Sequence, residues 1–147
     1  MKRAKPSAPR LRQALQAHSK PVKPHNLGLI GKDHLLARFT EAKVEPETFK
    51  YQKTLGETEG LPWVVETAFG WCPSEDRRRI VTGANWSVGL GNPFRSFGRA
   101  GEGLESLLAQ QRAGRDEPII VVVHFACPRI GYTDRGKSAI TLPGGEE

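Results

Sequence analysis

The run Ile119-Ile120-Val121-Val122-Val123 constrains the fold more than any other part of this chain. It offers no polar face, so the segment Pro118 to Ala126 is expected as a strand buried on both sides. Such a strand needs neighbours in a sheet and cover above and below, and the rest of the sequence must supply them. The run is far shorter than the ~20 apolar residues that span a bilayer. Polar residues close it at both ends.

Two further segments read as strands. Leu61 to Trp71 alternates and is rich in β-formers, with Pro62 tolerable only at its start. Arg79 to Ser87 is the second, and the charged stretch Glu75 to Arg78 before it reads as a turn, which predicts an antiparallel hairpin between the two. Gly103 to Arg112 places Leu104, Leu107 and Leu108 on one helical face, and Gly114 ends it. A helix between Arg79–Ser87 and Pro118–Ala126 suits a crossover that makes those two strands parallel. Arg129 to Thr141 offers a fourth strand. Upstream, Leu35, Leu36 and Phe39 mark a short helix from Lys32 to about Ala42, and Glu45-Pro46-Glu47 resembles a helix start leading through Val44 to Lys53. The glycine-rich stretch from Gly89 to Gly101 must be loop.

These segments fit an α+β fold: a small three- to four-stranded mixed sheet with a crossover helix, preceded by a disordered basic arm and short helices. The expected divisions are a flexible arm over residues 1–24, a short helical segment over 25–56, and an α+β unit over 57–147 that reads as cut short at its end. A chain of 147 residues has room for one ordinary domain.

Charge is unevenly placed. The net charge is +6, yet Lys2, Arg3, Lys5, Arg10, Arg12, Lys20 and Lys23 all fall in the first 25 residues with no acid among them. The remaining 15 bases face 16 acids. A base-only, proline-containing arm suits phosphate backbones through counterion release, so those seven residues are the candidate nucleic-acid contacts. The basic start lacks the apolar stretch of a secretory signal. Two cysteines make neither a disulfide framework nor a metal site, and four scattered histidines lack metal-ligand spacing. A reduced, cytoplasmic protein with no membrane partner is expected. Cys127 reads as a buried small hydrophobe. Trp63, Trp71 and Trp86 read as core residues, and Arg95, Arg99, Arg112 and Arg115 as a solvated face. His124 reads as a satisfied structural histidine, and Glu66 as a lone acid with no catalytic mate.

The stretch from Gly131 to Ser138 fits the phosphate-loop pattern GxxxxGK[ST] and follows a buried strand. A working loop of that kind runs into a helix whose N–H groups hold the phosphates. Here Ala139 to Leu142 reads as strand, and Pro143-Gly144-Gly145 cannot continue a helix. No later strand supplies a magnesium-binding acid. Lys137, flanked by Thr133, Arg135, Gly136 and Ser138, still offers an ammonium to a phosphate held elsewhere.

Those residues carry a resemblance. Phe125-Ala126-Cys127-Pro128-Arg129-Ile130, followed by Tyr132 to Ile140, is similar to the end of the transducer domain in bacterial proteins of the topoisomerase VI B-subunit kind. Leu61 to Phe69, Gly83 to Ser87 and Asn92-Pro93-Phe94 resemble the earlier strands and loop of the same domain, so that the likeness covers about residues 45 to 142. The resemblance implies a part of a GHKL ATPase in which a separate domain holds ATP and Mg²⁺. The transducer inserts a lysine toward the terminal phosphate and couples nucleotide state to a DNA gate. By motif position Lys137 would be that lysine. The chain departs from the pattern in lacking the GHKL nucleotide site and the long helix after the sheet. The expectation is therefore a transducer-like fragment or subunit that is not an enzyme alone, binds no cofactor alone, and meets ATP and Mg²⁺ only through a GHKL partner. A small nucleic-acid-binding protein and a nonfunctional gene remnant are the alternatives.

Overall fold

The computed structural model describes residues 7–88, 93–94, 103–132 and 140–141. Three helices, α1 (Ala8–His18), α2 (Lys32–Glu41) and α3 (Leu104–Gln110), accompany seven strands. These are β1 (Lys50–Thr58), β2 (Leu61–Trp71), β3 (Arg79–Ala84), β4 (Ser87–Val88), β5 (Ile119–Ala126), β6 (Gly131–Tyr132) and β7 (Ile140–Thr141). The first five form one mixed sheet in the order β1-β2-β5-β3-β4, and the last two form a separate ribbon. The chain is α+β, as expected. No helix among the described residues is long and apolar enough to cross a membrane.

β5 is the centre of the sheet. It runs antiparallel to β2 on one side and parallel to β3 on the other. Its residues alternate between two cores. Val121, Val123 and Phe125 join Phe94, Leu104 and Ala113 on the face that carries α3. Ile120 joins Leu35 and Phe39 of α2, with Val44 and Ala68, on the other. The apolar run Ile119 to Val123 is thus read out as one side chain per face in turn, which requires cover on both faces.

Four expectations need correction. The strands Leu61–Trp71 and Arg79–Ala84 are not a hairpin, because β5 inserts between them and takes the hydrogen bonds of both. The parallel pairing of β3 with β5 across α3 stands. The segment read as one strand from Arg79 to Ser87 is broken by a two-residue turn at Asn85-Trp86, both with positive φ (46° and 63°), which returns the chain as β4. The helix expected from Glu45 is only a single 3₁₀ turn, Pro46–Thr48. Phe49 leaves it to pack edge-on against Phe39 at 5.2 Å, and the Thr48 hydroxyl accepts the Trp71 N–H at 2.9 Å. The chain then becomes β1, so the sheet has five strands. β1 turns into β2 through Glu59-Gly60, again with two positive φ values, the left-handed pair that a tight hairpin requires.

The tryptophans are not core residues either. Trp63 is half-buried against the α3-side cluster, Trp71 closes β2 at the surface, and Trp86 is 55% exposed in its turn. Both cysteines are buried free thiols.

Candidate functional site

The polar centre of the fold is a pair that sequence separation hides. Glu66 and His124 lie directly opposite one another in the β2–β5 register. His124 Nδ1 stands 2.9 Å from Glu66 Oε2, and both side chains are buried. Glu66 is wholly inaccessible (0% exposed). A carboxylate there demands donors, and it has four. Oε2 also accepts the Ile30 N–H at 2.8 Å, while Oε1 accepts the Gly31 N–H at 2.9 Å and the Tyr51 hydroxyl at 2.8 Å. The two backbone donors come from the chain as it enters α2. Gly31 caps that helix at φ 92°, a conformation that a side chain would strain, and the turn aims successive N–H groups at one anion.

The electrostatics follow from this geometry. Burial is the largest influence on the Glu66 carboxyl and pushes its pKa up. The Gly31, Ile30, Tyr51 and His124 hydrogen bonds together outweigh that and hold it below its ordinary value. Tyr51 moves the other way, pushed up to about 12 by burial, by its hydrogen bond to Glu66 and by the adjacent negative charge. His124 Nε2 accepts the Trp86 backbone N–H at 3.1 Å, so the ring proton sits on Nδ1 and points at Glu66. The Trp86 indole leans over the imidazole with ring centroids 5.6 Å apart and covers Gly28, where a Cβ would come within 2.7 Å of it.

A cavity of about 330 Å³ adjoins the pair, lined by Ile30, His34, Val81, Trp86, Val122 and His124 among others. The carboxylate–histidine pair does not open a base into it. Both Glu66 oxygens and both ring nitrogens are engaged, so the arrangement joins the α2 entry, three strands and the β3–β4 turn. Asn85 extends the same tie. Its side-chain amide donates to the Cys127 carbonyl and accepts the Cys127 N–H, at 2.9 and 3.0 Å. Among the described residues every buried side-chain nitrogen and oxygen has a partner, and no three His, Cys, Asp or Glu side chains converge as metal ligands.

None of the sequence-derived site residues that the structure describes joins this centre. Lys137 and its neighbours Thr133, Arg135, Gly136 and Ser138 fall outside the described residues, as do Lys2, Arg3 and Lys5. The flanks of the lysine stretch are described. β6 and β7 pair antiparallel, Gly131 with Thr141 and Tyr132 with Ile140. Ile140 is 3% exposed in the α3-side core, and its N–H donates to the Pro93 carbonyl at 2.8 Å. Arg10 and Arg12 stand on α1, an 11-residue helix with no buried residue, and Lys20 and Lys23 follow it at the surface. Arg112 and Arg115 are exposed, as expected, whereas Arg95 and Arg99 lie outside the described residues. Glu66–His124 was missed as a pair because the partners are 58 residues apart. The available signal was a titratable residue inside each of two largely apolar strands.

No protein-family model matches the chain, and no curated protein matches it. Among solved structures, it is similar to the B subunit of DNA gyrase from Myxococcus xanthus, at 18% identity and a TM-score of 0.41. That match covers 65% of this chain and 29% of the gyrase chain, so this protein spans under a third of that length. A likeness this distant leaves function to be argued from the chain's own residues.

Proposed function

We propose that this protein is a transducer-like part of a GHKL-type ATPase assembly, presenting Lys137 to the terminal phosphate of a nucleotide held by another domain or chain. The observation that carries the reading is the antiparallel pairing of β6 with β7. A phosphate loop needs a helix after its Lys-Ser pair. Here the chain is already a strand by Ile140, two residues after Ser138. The stretch from Gly131 to Ser138 therefore starts in β6 and is followed by β7, whereas a self-sufficient phosphate loop runs on into a helix. Its downstream strand is tethered through Ile140, so a pull on a lysine three residues earlier would be felt in the core. On this reading the protein is not an enzyme by itself, and ATP and Mg²⁺ enter only through the partner.

The test starts with capture of a GHKL protein on the immobilised chain and measurement of its ATP turnover with wild-type or Lys137→Ala protein. On this reading the lysine serves a partner's phosphate and not the fold, so the variant should keep its unfolding midpoint. It should bind the partner as before and lose the stimulation. Equal stimulation by both proteins would remove Lys137 from the role. A second reading, contact with DNA phosphates, is favoured by α1. That helix is fully exposed, carries Arg10 and Arg12, and has no acid in its sequence.

A further inference from the structure

The sheet ends in two unlike edges. β3 is partly covered by the two-residue strand β4, whereas β1 presents nine residues with no strand beyond it among those described. Its outward groups follow from the hairpin. A two-residue turn closes on a pair that exchanges both backbone hydrogen bonds, and here that pair is Thr58 with Leu61. Alternation then directs the N–H and C=O groups of Thr58, Gly56, Thr54 and Gln52 toward β2. Those of Glu57, Leu55, Lys53 and Tyr51 point away from the sheet. No hydrogen bond among the described residues reaches the outward groups of Lys53, Leu55 or Glu57.

We propose that β1 is a homodimer seam, at which two copies of this chain pair antiparallel about a two-fold axis through Leu55. The edge is self-complementary in that register. Outward-facing residues must meet outward-facing residues, which restricts the axis to a few positions. An axis at Lys53 sets two lysines face to face. An axis at Leu55 sets Lys53 opposite Glu57 of the second copy, and symmetry repeats the pair. Leu55, 40% exposed on the same face of the strand, then meets its own copy. Lysines on a bare edge ordinarily discourage such pairing, but here each has an acid to answer it. On the opposite face Gly56 has no side chain, and the Trp63 indole occupies its place, since a Cβ there would lie 2.2 Å from the ring. The seam is therefore lined by that indole against Thr54 of the second copy.

Sedimentation velocity on the full chain across a concentration series tests this, with circular dichroism confirming that each variant folds. Wild type should dimerise with rising concentration. Lys53→Glu alone and Glu57→Lys alone each turn two attractive cross-strand pairs into two repulsive ones, and each should weaken dimerisation at least about tenfold. An equimolar mixture of the two variants should dimerise again, because each supplies the charge the other lacks, and the double swap on one chain should behave as wild type. A wild type that stays monomeric throughout, single variants that dimerise unchanged, or a mixture that fails to recover would each overturn the proposal.

Discussion

Replacing Glu66 by Gln isolates what the buried carboxylate contributes. All four partners donate, and an amide can accept on only one of its two ends. If the amide nitrogen faces Ile30 and His124, two donors lose their acceptor, because the imidazole cannot move its proton to Nε2 while that atom holds the Trp86 N–H. If it faces Gly31 and Tyr51, the tyrosine can rotate and accept, and only the Gly31 N–H is orphaned. The second arrangement wins. It costs about 1–3 kcal/mol for the orphaned donor, and the remaining bonds lose their charge assistance. Relief of the buried charge offsets part of that, leaving a destabilisation of about 2–4 kcal/mol. Tyr51→Phe removes one donor and leaves three, for about 1–2 kcal/mol. Urea unfolding should show both as a lower midpoint at unchanged slope.

The pH dependence carries a second signature of the same residue. The Glu66 pKa is lower in the folded protein than its ordinary 4.5, so its contribution is present above that value and lost as pH falls through the folded one. Glu66→Gln should flatten this acid limb. The Tyr51 pKa is raised from 10.0 to about 12, so its contribution is full below 10.0 and lost as pH rises toward 12, a limb missing from Tyr51→Phe. A Glu66→Gln protein within about 0.5 kcal/mol of wild type, or one less affected than Tyr51→Phe, would refute the account of the carboxylate as the acceptor of four donors.

Asn85→Ala should lower the melting temperature by roughly 2–4 °C for each kcal/mol lost. The expected loss is about 2–3 kcal/mol, because both backbone groups of buried Cys127 lose their partner and alanine is strained at φ 46°; Asn85→Gly should recover only the part due to strain. On the DNA-contact reading, removal of residues 1–24 should weaken binding to a DNA duplex and flatten its dependence on salt in a fluorescence-anisotropy titration, by about one unit of log–log slope for each phosphate contact removed. An unchanged slope would clear the arm of that role.

How far the sequence could be read depended on where each element takes its stability. β5 and β2 were legible because burial fixes their side chains. The unbroken apolar run Ile119 to Val123 fits only the centre of a sheet, and Leu61 to Trp71 alternates because its two faces are covered unequally. α2 and α3 were legible from their leucines. β1 was not, since an edge strand of Lys, Gln, Thr and Glu gains its order from pairing with β2 and carries little apolar signal. The wrong neighbour for β2 arose from chain proximity, which favours a hairpin with β3, whereas the extra burial of β5 makes it the better partner for both. The Glu66–His124 pair could not be read without the register, because a contact across 58 residues leaves no spacing to count.

The central placement of β5 also dictates an order of assembly. As the chain leaves the ribosome, β1 and β2 can close their hairpin at once, but β2 and β3 have no common partner until residues 119–126 emerge. Through that interval the nascent protein holds two unsatisfied strand borders apart, and a slow, non-local insertion completes both ladders in one step. Pauses in translation before residues 119–126 have emerged would therefore prolong the species most prone to misassembly, while pauses after their emergence would not.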